Sequence, residues 1–225
     1  MLNEEILKQF DQEIYSETIG DWRPIDAFRL RLPDLVRPKN LNKYSDEKIH
    51  PIGVLITVYK TIRYLKPELV VETGVQNGAT TELILGAMVL NKKGKLYSID
   101  CGSIVSESSD KTWDGNPGQY VRTELRDRWD LRLGLSKDVL PVLVEELKAS
   151  GKTIDVFHHD SDHSTENIEF EMRTVLPVMS DNSIICMHDR QNRCFESLPK
   201  HETIRIDGIT DLNFDYWVIK KSETV

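Results

Sequence analysis

The amino-acid sequence predicts an α/β chain: a mostly parallel sheet of seven strands with helices on both faces, an antiparallel hairpin at one edge, and a helical extension in front. Three observations lead there. Short runs of β-branched and apolar residues alternate with longer segments whose apolar residues recur every three or four positions, the signature of strand–helix–strand units. A glycine-containing turn follows the first of these runs, where the chain must reverse to feed a helix. The last two runs are joined by a short loop, Gly208 to Asn213, which has no room for a crossover helix and so implies a hairpin.

Taken in order, Leu2, Ile6, Phe10 and Ile14 make one apolar helical stripe, and a Pro-containing irregular stretch from Arg23 to Lys43 follows. Ile52, Leu55, Ile56, Tyr59 and Ile62 make a second stripe that ends before Pro67. These residues, 1–66, are expected to form an extension or lid on a domain spanning 67–225. Leu69 to Thr73 reads as the first strand and Gly78 to Leu90 as a helix. Leu96 to Ile99 follows as a strand, Tyr120 to Trp129 as a helix, and Leu131 to Leu135 as a third strand. Val139, Leu140, Leu143, Val144 and Leu147 mark the next helix, Ile154 to His159 the fourth strand, and Asn167 to Val178 a further helix. Ser183 to His188, His201 to Ile206 and Phe214 to Lys220 complete the sheet, the last two as the hairpin.

Composition narrows the function. With 225 residues, 39% of them hydrophobic, the chain can bury one substantial core plus an appendage. No run of about eighteen apolar residues occurs, and Met1-Leu2-Asn3-Glu4-Glu5 lacks the basic end of a secretory signal, so a cytoplasmic protein without a membrane partner is expected. A net charge of −8 would repel a phosphate backbone, which argues against nucleic acid. Cys101, Cys186 and Cys194 form no CxxC pair and read as small core fillers. A homo-oligomer is left open.

Ligands of such sheets collect beyond the carboxyl ends of the strands, near the point where strand order reverses. The first strand runs into Glu72-Thr73-Gly74-Val75-Gln76-Asn77-Gly78. Its glycine spacing differs from the GxGxxG that cradles a pyrophosphate, and its leading acid suits a cationic ligand better than a phosphate. Asp100 ends the second strand, where a carboxylate can accept both hydroxyls of a ribose. His158-His159-Asp160-Ser161-Asp162-His163 after the fourth strand, with His188-Asp189 after the fifth, concentrates ionisable groups in a way that packing alone does not explain. Within that cluster Asp162 or Ser164 also suits a helix cap, and His158 a hydrogen-bonded core position.

Together these motifs resemble the class I, Rossmann-like methyltransferases. More narrowly, Asp160-Ser161-Asp162-His163-Ser164 is similar to the D-x-D-H-S signature of small-molecule O-methyltransferases, a branch that includes natural-product sugar methyltransferases and cephalosporin hydroxylase-like proteins. The likeness runs from about Pro67 to Lys220. It implies S-adenosylmethionine as cofactor, with Glu72, Gly74, Asn77 and Gly78 along its methionyl and ribose side, Asp100 on the ribose and Ser136 near the adenine. It also implies Mg²⁺ or another divalent ion on Asp160, His188 and Asp189, although His188 stands where related enzymes carry a carboxylate, and imidazole is softer than Mg²⁺ prefers. Asp160, His163 and His188 are then the expected catalytic residues, and a small-molecule hydroxyl the expected methyl acceptor. Two other classes share parts of the pattern: a nicotinamide-dependent oxidoreductase, and a non-catalytic protein that binds S-adenosylmethionine or a nucleoside.

Overall fold

The structure, a computed structural model, describes residues 58–59, 61–102, 116–119, 121–188, 202–204 and 214–219. The strands are β1 (Leu69–Thr73), β2 (Lys95–Asp100), β3 (Trp129–Leu133), β4 (Ile154–His159), β5 (Met179–His188), β6 (Glu202–Ile204) and β7 (Phe214–Ile219). Between them lie α1 (Ala79–Asn91), α2 (Ser136–Ala149) and α3 (Thr165–Val175), with short 3-10 helices at Thr123–Arg128 and Leu176–Val178. The sheet order is β3-β2-β1-β4-β5-β7-β6. The first five strands are mutually parallel, and β7 runs antiparallel to both β5 and β6.

Strand periodicity divides the core into two layers, because successive side chains leave opposite faces of the sheet. Val70, Leu96, Val156, Ile184 and Cys186 pack on one face against Ile84, Leu85 and Met88 of α1 and against Val58 and Ile62 from the helical residues just before Pro67. Val71, Ile99, Phe157, Ile185 and Met187 pack on the other against Leu140 and Leu143 of α2 and Ile168 and Met172 of α3. Each large apolar side chain buried here contributes about 1.5–3 kcal/mol. Cys186 is a core filler whose thiol is pushed up by burial, and Cys101 is half-buried.

Three elements differ from the expectation. The helix expected over Tyr120 to Trp129 is a 3-10 helix of six residues, since Trp129 belongs to β3, where it pairs with Leu96 and donates its indole N–H to Ser98 Oγ at 2.9 Å. That pairing also places β3 two residues earlier in the chain than its apolar run suggests. β5 begins at Met179, drawn into the sheet through a register shift against Ile154. The stripe of Leu2 to Ile14, the stretch from Arg23 to Lys43 and Cys194 lie outside the described residues. Among the described residues, no helix is long and apolar enough to cross a membrane.

Candidate active site

Strand order reverses between β1 and β4, so the loops leaving those two strands meet at the carboxyl edge of the sheet. Asp160 N–H donates to Thr73 O at 2.8 Å, and Gly74 N–H to Ile99 O at 2.9 Å. The approach is so close that a Cβ on Gly74 would stand 2.0 Å from the Asp160 carbonyl oxygen. Glycine is therefore required at 74 for the two loops to touch. Its φ of +84° adds a second reason, since L side chains rarely adopt it.

The loop from Gly74 to Gly78 alternates left-handed residues, with φ of +84°, +48° and +93° at Gly74, Gln76 and Gly78. Successive amides then point inward and form a concavity suited to an anion. That anion is already supplied by the chain. Asp100 Oδ2 accepts from Val75 N–H at 2.7 Å and Gln76 N–H at 2.9 Å, while Oδ1 accepts from Gly102 N–H at 2.7 Å. A carboxylate offers about four acceptor positions. The described residues fill three of them, two on Oδ2 and one on Oδ1.

Glu72 lies beneath this loop, fully buried on the α1 face, where its Oε2 accepts from Thr81 Oγ1 at 2.8 Å and Ser98 Oγ at 2.7 Å. Oε1 has no hydrogen-bond partner among the described residues. Burial pushes the carboxyl up to about 8 against those two hydrogen bonds, and the charges of Asp160 and Asp100 add to the rise. Asn77 Oδ1 accepts from Gln119 Nε2 at 2.8 Å, and Gly78 caps α1 in a left-handed conformation, with residues 118 and 121 against it.

On the opposite face, Glu171 of α3 gathers four donors. Its Oε2 meets Thr73 Oγ1 at 2.7 Å and His159 Nδ1 at 2.8 Å; its Oε1 accepts from Ser161 Oγ at 2.7 Å and Asn167 Nδ2 at 3.1 Å. Burial acts to raise this carboxyl, but the hydrogen bond and charge of His159, with the Ser136 and Ser161 hydroxyls, outweigh it and hold Glu171 below its ordinary value. Ser136, the first residue of α2, donates to Asn167 Oδ1 at 3.1 Å and so belongs to this cluster. Sequence reasoning missed Glu171 and His159 as partners. A signal was present: Glu171 interrupts the apolar stripe of Ile168, Met172 and Val175.

Asp160 and His163 stand at the mouth of the switch point, both partly exposed, with His163 Nε2 3.5 Å from Asp160 Oδ1. The His163 ring meets His159 edge-on, centroids 5.8 Å apart. Ser164 caps α3 by accepting Asn167 N–H, and Asp162 Oδ1 in turn accepts Ser164 N–H, so these two residues are spent on the turn. His158 is fully buried beside Glu72 in the β1–β4 register. His188 ends β5, and Asp189 lies outside the described residues. Among the described residues, no three His, Cys, Asp or Glu side chains are grouped to hold a metal ion.

A mostly parallel sheet with helices on both faces, loops that touch at its switch point and an acid ending β2 make a Rossmann-like fold. The chain belongs to the family described as "Methyltransferase domain", whose model it matches over residues 71–190, just over half its length. It is therefore a methyltransferase. No curated protein matches it. Among solved structures it is similar to an O-methyltransferase from Bacillus cereus in complex with S-adenosylhomocysteine, at 15% identity and a TM-score of 0.54, covering 90% of this chain and 100% of that one. CalS11, a TDP-rhamnose 3′-O-methyltransferase of calicheamicin biosynthesis, shares 13% identity at a TM-score of 0.61, covering 96% and 95%. TomG from Streptomyces achromogenes, in complex with S-adenosylmethionine, shares 15% at 0.56, covering 76% and 80%. At these identities the likeness establishes the fold.

Proposed function

We propose that the chain transfers the methyl group of S-adenosylmethionine to a hydroxyl of a small molecule of the sugar or natural-product type. The observation that carries this reading is the Asp100 carboxylate seated in the amide concavity of the first loop. A dinucleotide would place its pyrophosphate on those same amides. Here they are spent on a carboxylate, whose charge would also repel phosphate. The loop suits a phosphate-free, cationic cofactor, and a sulfonium donor has that character. The neighbours described as complexes with S-adenosylmethionine or S-adenosylhomocysteine, and as O-methyltransferases, support the same choice.

In this reading Gly74, Asn77 and Gly78 line the methionyl and ribose side of the donor. Asp100 offers Oδ1, which takes one donor among the described residues, to a ribose hydroxyl, and Ser136 lies toward the adenine. Glu72 acts from beneath, by tying the ends of β1, β2 and α1 together. The acceptor oxygen attacks the methyl carbon in line with the departing sulfur. A new C–O bond forms as the C–S bond breaks, S-adenosylhomocysteine leaves, and the hydroxyl proton passes to a base. Most of the rate gain comes from holding donor and acceptor in line.

Two routes serve the proton. In the first, Asp160, His188 and Asp189 hold a divalent ion such as Mg²⁺, which when bound acidifies the hydroxyl. The adjacency of β4 and β5, with His159 paired to Met187, supports this route, because Asp160 and His188 are the next residues along those two strands. In the second, His163 accepts the proton directly and Asp160 stabilises the resulting imidazolium, a reading favoured by their 3.5 Å approach. Calorimetry should show S-adenosylhomocysteine binding and no NAD binding, and NAD binding alone would overturn the donor assignment. Methylation of a sugar acceptor should then stop in excess EDTA and resume with Mg²⁺. Full activity in EDTA would select His163.

A further inference from the structure

We infer that Gly118, Gln119, Val121 and Arg122 form a second wall of the donor-binding loop, and that Glu82 and Arg122 are the residues that position it. The inference rests on the donor reading above and adds an element outside the sequence motifs that suggested it.

The wall is tied to the loop directly. Gly118 N–H donates to Gln76 O at 2.7 Å, and Gln119 Nε2 to Asn77 Oδ1 at 2.8 Å. Contact is close enough that a Cβ on Gly78 would stand 2.8 Å from Gly118 Cα and 2.7 Å from Val121 Cγ2. From behind, the same segment rests on Trp129, whose ring would lie 2.2 Å from a Cβ on Gly118. Arg126 bonds the carbonyls of Gly118 and Val121 at 3.1 and 3.0 Å while its guanidinium stands 5.4 Å from the Trp129 ring centroid.

Glu82 closes the arrangement. It sits in the first turn of α1 with 2% of its side chain exposed, where a carboxylate persists only with a strong partner. Oε2 accepts the Arg122 backbone N–H at 2.9 Å, and Oε1 pairs with Arg122 Nε. One buried carboxylate thus grips both the main chain and the side chain of the residue that ends the wall. No atom of Glu82 needs to touch the donor. Its effect on binding passes through Gly118, Gln119 and Val121 to Gln76, Asn77 and Gly78.

Calorimetry on the full chain with S-adenosylhomocysteine as the probe tests this. Glu82→Gln keeps an acceptor for the Arg122 N–H but loses the charge, and should weaken binding by about tenfold, the lower end of what a charged hydrogen bond is worth. Arg122→Lys, which keeps both the cation and the N–H, should fall between that variant and the unaltered protein. Glu166→Gln, on the exposed side of α3, should bind normally. A Glu82 that only stabilises the fold would lower the melting temperature and leave affinity within about twofold, which would overturn the inference. Should Glu82→Gln fail to fold, Gln119→Ala decides. It removes only the tie to Asn77 and should cost about threefold, the value of one neutral hydrogen bond; unchanged affinity overturns the wall. An unaltered protein that ignores S-adenosylhomocysteine would strike the donor assignment and the wall together, whereas normal binding by the variants strikes the wall alone.

Discussion

Ser98 Oγ donates to Glu72 Oε2 at 2.7 Å across the two parallel strands β2 and β1, in a layer closed to water. Folding therefore changes when this carboxyl ionises: near 4.5 in the unfolded chain, and about 8 in the fold. Between those values the unfolded state has released a proton that the native state still holds, so stability falls as pH rises through the window. Glu72→Gln, neutral throughout, should remove that slope. Thermal melts should show its advantage over the unaltered protein growing from pH 5 to pH 8 by about 3 °C or more. Two curves that stay parallel would mean that Glu72 is already ionised in the fold.

Asp100→Ala should weaken S-adenosylhomocysteine binding by roughly 1.5–3 kcal/mol, the scale of hydrogen bonds to a charged group. Because three backbone amides lose their acceptor as well, the variant should also melt earlier. Affinity that is unchanged in calorimetry would remove Asp100 from the donor site and leave it a purely architectural role.

Glu171→Gln should destabilise the chain by roughly 3 kcal/mol in urea titrations, since His159 and three further donors lose a buried carboxylate. The lowered carboxyl contributes stability that is present above its unfolded value and is lost as pH falls through its folded value. The gap between the two proteins should accordingly narrow in acid. A gap that widened below pH 4 would contradict an ionised Glu171.

Three glycines should answer alanine differently. Gly74→Ala forces a Cβ against the Asp160 backbone, at a φ that already disfavours it, and should cost several kcal/mol or abolish folding. Gly78→Ala meets Gly118 and Val121 and should also destabilise, while loosening the donor loop. Gly86, inside α1 with nothing within 4 Å, should gain about 0.5–1 kcal/mol as Ala. Chemical denaturation of the three variants checks the order.

Periodicity made most of this fold legible. β1, β4 and the hairpin follow from apolar runs, and the adjacency of β4 and β5 from the strand–helix–strand order. What periodicity could not convey is which way a polar side chain turns at a strand end. Glu72 and Thr73 are neighbours in sequence, yet one joins Ser98 beneath α1 and the other joins Glu171 beneath α3. The motif suggested that Asp100 holds ribose; its first partners are the chain's own amides, because only folding brings residues 75 and 76 to it. Glu82 was legible as the one charge in an otherwise apolar helix, and Glu171 as a charge on the apolar stripe of an amphipathic one. Their partners Arg122 and His159 were not, since both pairings depend on tertiary packing.

The placement of β7 between β5 and β6 bears on how the chain is made. Synthesis delivers β6 before β7, yet among the described residues β6 pairs with β7 alone. As the polypeptide emerges from the ribosome, the parallel strands through β5 can zip together one after another. Glu202–Ile204 cannot pair until its partners in β7, Tyr216 to Val218, have followed it out. For that interval the outer edge of β5 is an open template, and a stalled or prematurely released chain would expose it to any passing strand.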